Sequence, residues 1–179
     1  RQDADITDLA QIMKVIEKFE PDYVFHTAAF TDVDACELDS KKAMEINATG
    51  AGNVALAAQK AGVEIVYFST DYVFDGAKKS AYVENDVPNP ISEYGRSKRA
   101  GELATMEFNK NWTIIRISWI HSDHGKNFVK SILISAKKNR SPLRVVNDQF
   151  GSPTWTRDIV EQTVRIIELK QRGLFHVAS

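Results

Sequence analysis

The chain has 179 residues, 43% hydrophobic and 26% charged, an ordinary composition for one globular core. A net charge of -1 leaves no basic footprint for nucleic acid. No apolar run approaches the roughly 18 residues of a membrane span, and the first residues do not read as a signal peptide. The single cysteine, Cys36, excludes an intramolecular disulfide and suits a reducing, cytoplasmic setting.

In chain order, Thr7 or Asp8 can cap a helix whose apolar positions Leu9, Ile12, Ile16 and Phe19 recur at helical spacing. Residues 23–29 form a short apolar run, expected as a parallel strand buried on both faces. A polar loop with Asp32, Asp34 and Glu37 is expected next. The stretch 40–61 predicts one long helix, ended by Gly62, and 63–68 another buried strand. Residues 70–91 read as a loop, long enough to be functional. A helix over 92–108 and a strand over 112–117 complete a β-α-β-α-β alternation. That pattern predicts an α/β fold with a doubly wound parallel sheet and right-handed crossovers. Ligands then bind beyond the carboxyl ends of the strands.

After Trp119 the character changes. A polar loop from His121 through Lys126 to Asn127 precedes a helix over 128–138, a short strand over 143–146 and a turn-rich loop over 148–154. A helix over 156–170, capped by Thr156 or Asp158, follows. Residues 1–118 are expected to form a dinucleotide-binding domain and 119–179 part of a smaller substrate-binding lobe. The chain begins at Arg1 without Met and stops inside a strand-like run, Leu174 to Ser179. A longer parent polypeptide is therefore expected, and this stretch alone is expected to bind a dinucleotide weakly.

Tyr94 and Lys98 stand four apart in the helix expected over 92–108, so phenol and ammonium share one face. A nearby ammonium lowers a tyrosine pKa, which suits the phenol to general acid or base work. The rival reading is a solvated helix face. Just upstream, Ser69-Thr70-Asp71-Tyr72-Val73-Phe74 follows a buried strand.

A hydroxyl residue past a strand, then Tyr-x-x-x-Lys, resembles the extended short-chain dehydrogenase/reductases. More narrowly, the chain is similar to the dTDP-4-dehydrorhamnose reductase family. The likeness rests on Asp5-Ile6-Thr7, on Pro21-Asp22 with Ala28 to Asp34, and on Ser69 to Phe74. It continues through Tyr94 to Lys98 with Gly101-Glu102, through Arg116 to Trp119, and through Asp148 to Thr154. One departure stands out: no Gly-x-x-Gly-x-x-Gly loop after a strand is present, and Gly50-Ala51-Gly52 lies inside a helix.

The resemblance implies reduction of the C4 ketone of dTDP-4-dehydro-L-rhamnose with NADPH or NADH, and often a homodimer. It implies catalytic roles for Tyr94 as general acid, for Lys98, which also holds the nicotinamide ribose, and for Thr70, which donates to the ketone oxygen. Cofactor contacts are implied for Asp5, Ile6, Ala28, Ala29, Phe30 and Phe68, and substrate contacts for Thr70, Asp71 and Trp119. Core packing is the alternative for Trp119, Phe68 and the alanine pair. Asn47 is implied near the active site, and Gln149, Gly151 and Thr154 around the sugar nucleotide or in a structural turn. The four histidines show no metal-ligand spacing. Two other readings stay open: a non-catalytic subunit resembling the methionine adenosyltransferase beta subunit, and a reductase or epimerase of another nucleotide sugar.

Overall fold

The structure, a computed structural model, describes residues 4–125, 127–138 and 142–179. Lys126 of the expected polar loop and the terminal Arg1, Gln2 and Asp3 lie outside the described residues. Asp8 caps the first helix, α1 (Leu9–Phe19), accepting from the backbone N–H groups of Ala10 and Gln11. Ile12 and Ile16 bury one stripe of α1 against the sheet layer. The chain turns at Glu20 and enters β1 (Tyr23–His26).

β1 ends three residues sooner than its apolar run suggests, and Phe25 is 49% exposed. The reason is position: β1 pairs only with β2 (Glu64–Thr70) among the described strands, and stands at the sheet edge. The order continues through β3 (Trp112–Ile117) to β6 (Gly173–Val177), with every pair parallel. The expected polar loop after β1 is instead a helix, α2 (Val33–Leu38). Asp32 starts it by accepting from the Ala35 N–H at 3.0 Å.

The long helix expected over 40–61 is broken into α3 (Ser40–Met44), a π-helical turn (Glu45–Thr49) and α4 (Gly50–Lys60). The extra residue of a π-turn re-aims a side chain; here the buried member is Asn47. Gly62 ends the run at φ +74°, as expected.

Alternate side chains of the sheet face opposite layers. Ile65 and Tyr67 of β2 and Ile114 of β3 pack toward α1, α4 and α5 (Glu93–Phe108). Val66, Ile115, Ile117 and Val177 pack on the other face with Ile159, Ile166 and Ile167 of α7 (Thr156–Glu168). Helices thus cover both faces of a parallel sheet, the doubly wound arrangement. Trp155 occupies the cap of α7 without a side-chain bond, so neither Thr156 nor Asp158 caps it.

α7 and β6 belong to this sheet and its core, so the sheet extends into the stretch expected for the smaller lobe. Residues 119–155 stand apart from it. They hold α6 (Phe128–Lys138), which buries no residue, and a small parallel pair, β4 (Ile120–His121) with β5 (Thr154–Trp155). Residues 143–146 are not a strand: Arg144, Val145 and Val146 are exposed and no partner strand pairs with them among the described residues.

Candidate active site

β2 ends at Thr70, buried to 6% exposure. Its hydroxyl accepts from the Tyr72 N–H at 3.2 Å and donates to Asp71 Oδ1 at 3.1 Å, turning the chain into a short 3-10 turn. The N-terminal turn of α5 is packed against this corner. Ser92 caps it by accepting from the Gly95 N–H at 3.0 Å. Gly95 permits the approach, since a side-chain carbon there would collide with the Tyr72 carbonyl oxygen. Tyr94 then meets the Tyr72 ring edge-on, with centroids 5.5 Å apart.

Burial pushes the Tyr94 phenol up to about 12, with hydrogen bonding toward Thr70 pulling the other way and the charge of Asp71 adding to the rise. The expectation that Lys98 depresses this phenol is therefore corrected. The Lys98 ammonium is turned to the backbone instead, donating to the Phe68 carbonyl oxygen at 2.7 Å and lying 4.1 Å from the Tyr67 ring centroid. Burial drives the Lys98 amine down to about 7, opposed by the charge of Glu102. Asp71 is likewise raised by burial. Thr70, Asp71, Tyr94 and Lys98 thus gather at the carboxyl end of β2. The Phe68 side chain packs beside the α7-facing core, while its carbonyl serves Lys98.

The residues expected on the cofactor side lie around the end of β1. Asn47 pins the loop there from both sides: its Oδ1 accepts from the Phe30 N–H at 2.7 Å, and its Nδ2 donates to the Phe30 carbonyl at 2.9 Å. The same Nδ2 donates to Ser97 Oγ at 2.9 Å, and Ser97 donates to the Tyr94 carbonyl at 2.8 Å. Asn47 therefore joins the Ala28-Ala29-Phe30 loop to the helix of Tyr94. Ala28 is exposed and Ala29 half-buried. Ile6 and Ala28 border one cavity of about 300 Å³. Ile6 also rests on Gly50, where a side-chain carbon would come within 2.7 Å of it. Asp5 is exposed and accepts from the Thr7 N–H and hydroxyl.

Trp119 follows β3 with φ +43° and 39% exposure. Gly151 lies against its indole. Ser118 donates to the Ser152 carbonyl at 2.7 Å, and the Thr154 N–H to the Trp119 carbonyl at 3.2 Å. Gly151 and Thr154 thus fasten the loop to Trp119, whereas Gln149 is exposed.

Sequence reasoning assigned no role to the group beneath the site. Glu102, with no exposed surface, receives Ser69, Arg99 and Arg116. The spacing Lys98-x-x-x-Glu102 was a usable signal, because i and i+4 share a face. His26 was also passed over; it stacks on Tyr67 at 5.4 Å, and its Nε2 is buried without a partner. Among the described residues, no three of His, Cys, Asp or Glu are grouped to hold a metal ion.

The family model described as the RmlD substrate binding domain matches residues 1–179. The dTDP-4-dehydrorhamnose reductase of Burkholderia thailandensis is 38% identical, the match covering 100% of this chain and 63% of the relative. A dTDP-4-keto-6-deoxy-D-glucose reductase of Streptomyces niveus is 36% identical over 100% of this chain and 62% of its own length. The crystal structure of dTDP-4-dehydrorhamnose reductase from Bacillus anthracis in complex with NADP superimposes with a TM-score of 0.95. It is 40% identical, with 99% of this chain and 63% of that one covered. The chain thus spans a little under two thirds of the length of these relatives.

Proposed function

Since the chain belongs to the RmlD substrate binding domain family, we propose that the protein carrying it is an NAD(P)H-dependent reductase. Its substrate is dTDP-4-dehydro-L-rhamnose and its product dTDP-L-rhamnose, in dTDP-rhamnose biosynthesis. The observation that carries this reading is the meeting of Thr70, Tyr94 and Lys98 at the carboxyl end of β2, where parallel sheets bind ligands.

The donor set fits a nicotinamide cofactor. An ammonium has three N–H donors, and the Phe68 carbonyl takes one of those on Lys98; the others suit ribose hydroxyls. Ala28, Ala29, Phe30, Asp5 and Ile6 would flank its adenosine and pyrophosphate side. When bound, NADPH or NADH supplies the hydride for the C4 carbonyl carbon. Thr70 donates a hydrogen bond to the C4 oxygen and so stabilises the charge that builds there. Tyr94 is protonated at neutral pH, because burial holds its pKa near 12. It gives its proton to the same oxygen, an alkoxide being a stronger base than a phenolate of that pKa. Trp119 would wall the sugar and Asp71 accept from one of its hydroxyls. Residues 119–155 would be this chain's share of the smaller lobe.

The family likeness also implies a homodimer, which sedimentation velocity reads directly. A buried, free Cys36 accords with a cytoplasmic setting. The test is product analysis with dTDP-4-dehydro-6-deoxyhexose, its epimerase and NADPH or NADH. Formation of dTDP-L-rhamnose is expected. Turnover without the epimerase would indicate a reductase of the unepimerised sugar. No oxidation of either cofactor would favour a non-catalytic subunit.

A further inference from the structure

Glu102 sits one helical turn beyond Lys98 on α5, with no exposed surface. Its Oε1 accepts from Ser69 Oγ at 2.5 Å and Arg116 Nε at 2.8 Å. Its Oε2 accepts from Arg116 Nη2 at 2.8 Å and Arg99 Nη1 at 2.6 Å. One carboxylate thus joins β2, β3 and α5 directly below the site. Buried ion pairs are weak stabilisers, since apolar replacements often do as well. Fold stability alone is therefore a poor reason for this cluster. Its location is more telling: Ser69 immediately precedes Thr70, and Lys98 stands at i−4 on the same helix face.

We propose that Glu102 is a positioning residue for the reaction, its buried carboxylate holding the end of β2 that carries Thr70 through Ser69 and placing a negative charge one helical turn from Lys98. This rests on the reductase reading above. The groups facing Lys98 are few. Tyr67 of β2 lies under the ammonium, and His26 of β1 stacks on Tyr67. Tyr94 shares its helix. His26 is neutral near pH 7, because burial and the Lys98 charge push it to about 3. Burial lowers the Lys98 amine, and the Glu102 charge opposes that fall. Around Glu102 itself, burial acts to raise the carboxyl. Hydrogen bonding and charge from Arg116, with bonds from Ser69 and Arg99, outweigh it and keep the group ionised. Behind Arg116 stand His176 of β6 at 3.4 Å and the Phe74 ring at 5.0 Å.

Two variants separate the links. Glu102→Gln keeps the volume and removes the charge, whereas Ser69→Ala leaves the Glu102–Arg116 pair intact. In the protein carrying this chain, the Lys98 amine is titrated by ¹⁵N-lysine NMR, which needs no turnover. Single-turnover NADPH oxidation is followed with the nucleotide sugar across pH. Glu102→Gln is expected to move the Lys98 titration, and the alkaline limb of kcat/KM, about one pH unit lower. Ser69→Ala is expected to slow the single-turnover rate about tenfold, less than the roughly 10²–10³-fold of removing a donor to the reacting oxygen itself, with Lys98 titration and NADPH affinity unchanged. An unmoved Lys98 titration in Glu102→Gln, or a wild-type rate in Ser69→Ala, overturns the proposal. If Glu102→Gln does not fold, the Ser69→Ala rate decides. A wild-type protein without reductase activity sinks the reductase reading instead, and the NMR titration still reports on Glu102 and Lys98.

Discussion

Gly151 lies flat against the Trp119 indole: a side-chain carbon there would stand 2.6 Å from Nε1 and 2.8 Å from Cζ2. The φ of Gly151 is not in the left-handed region, so its backbone accepts alanine and only the collision matters. Gly151→Ala must therefore displace the ring that would wall the sugar. Overpacking of this kind costs about 1–3 kcal/mol. The expected outcome is a rise of roughly tenfold in KM for the sugar nucleotide, with NADPH affinity unchanged. Steady-state kinetics beside a cofactor titration check both.

Asn47→Ala removes three hydrogen bonds, two to the Phe30 backbone and one to Ser97. Orphaning buried partners costs about 2 kcal/mol. Urea unfolding should show that loss. NADPH affinity should fall as well, because the Ala28-Ala29-Phe30 loop loses its tether.

His26 sets an acid limit on stability. Burial, with the charge of Lys98, holds its folded pKa at about 3 against 6.5. Between those values the unfolded chain binds a proton that the folded chain does not. Stability therefore falls as pH drops from 6.5 toward 3. His26→Phe keeps a ring on Tyr67 and removes the titration. Between pH 6.5 and 5 the wild type should lose about 1.5 kcal/mol more than His26→Phe. Urea midpoints at the two pH values measure the difference, and equal losses would exclude His26 as the cause.

Much of the sheet was readable because buried parallel strands announce themselves as apolar runs, as at 112–117, found as β3. The apolar run at 23–29 misled by three residues, since its last members serve a loop held by Asn47 rather than a ladder. Asp32 was expected in a polar loop and instead caps α2, a helix missed because six residues show too little periodicity. The break between α3 and α4 leaves no local sequence mark; only the long-range bonds of Asn47 reveal its purpose. The site divides similarly. Tyr94, Lys98 and Thr70 stood out by spacing and motif, and they do converge. The turn of the Lys98 ammonium to the Phe68 carbonyl, and the burial that raises the Tyr94 pKa, are things that spacing does not report. Arg116 meets Glu102 only because β3 lies beside β2.

Tyr94 as proton donor is the centre of the proposed chemistry, and Tyr94→Phe tests it most directly. The substitution keeps the ring that meets Tyr72 edge-on and removes only the hydroxyl. In the protein carrying this chain, single-turnover reduction of the C4 ketone should slow by roughly 10²–10⁴-fold, with NADPH affinity preserved. A Tyr94→Phe rate within about twofold of wild type, far short of the loss expected for a missing general acid, would contradict the assignment of Tyr94.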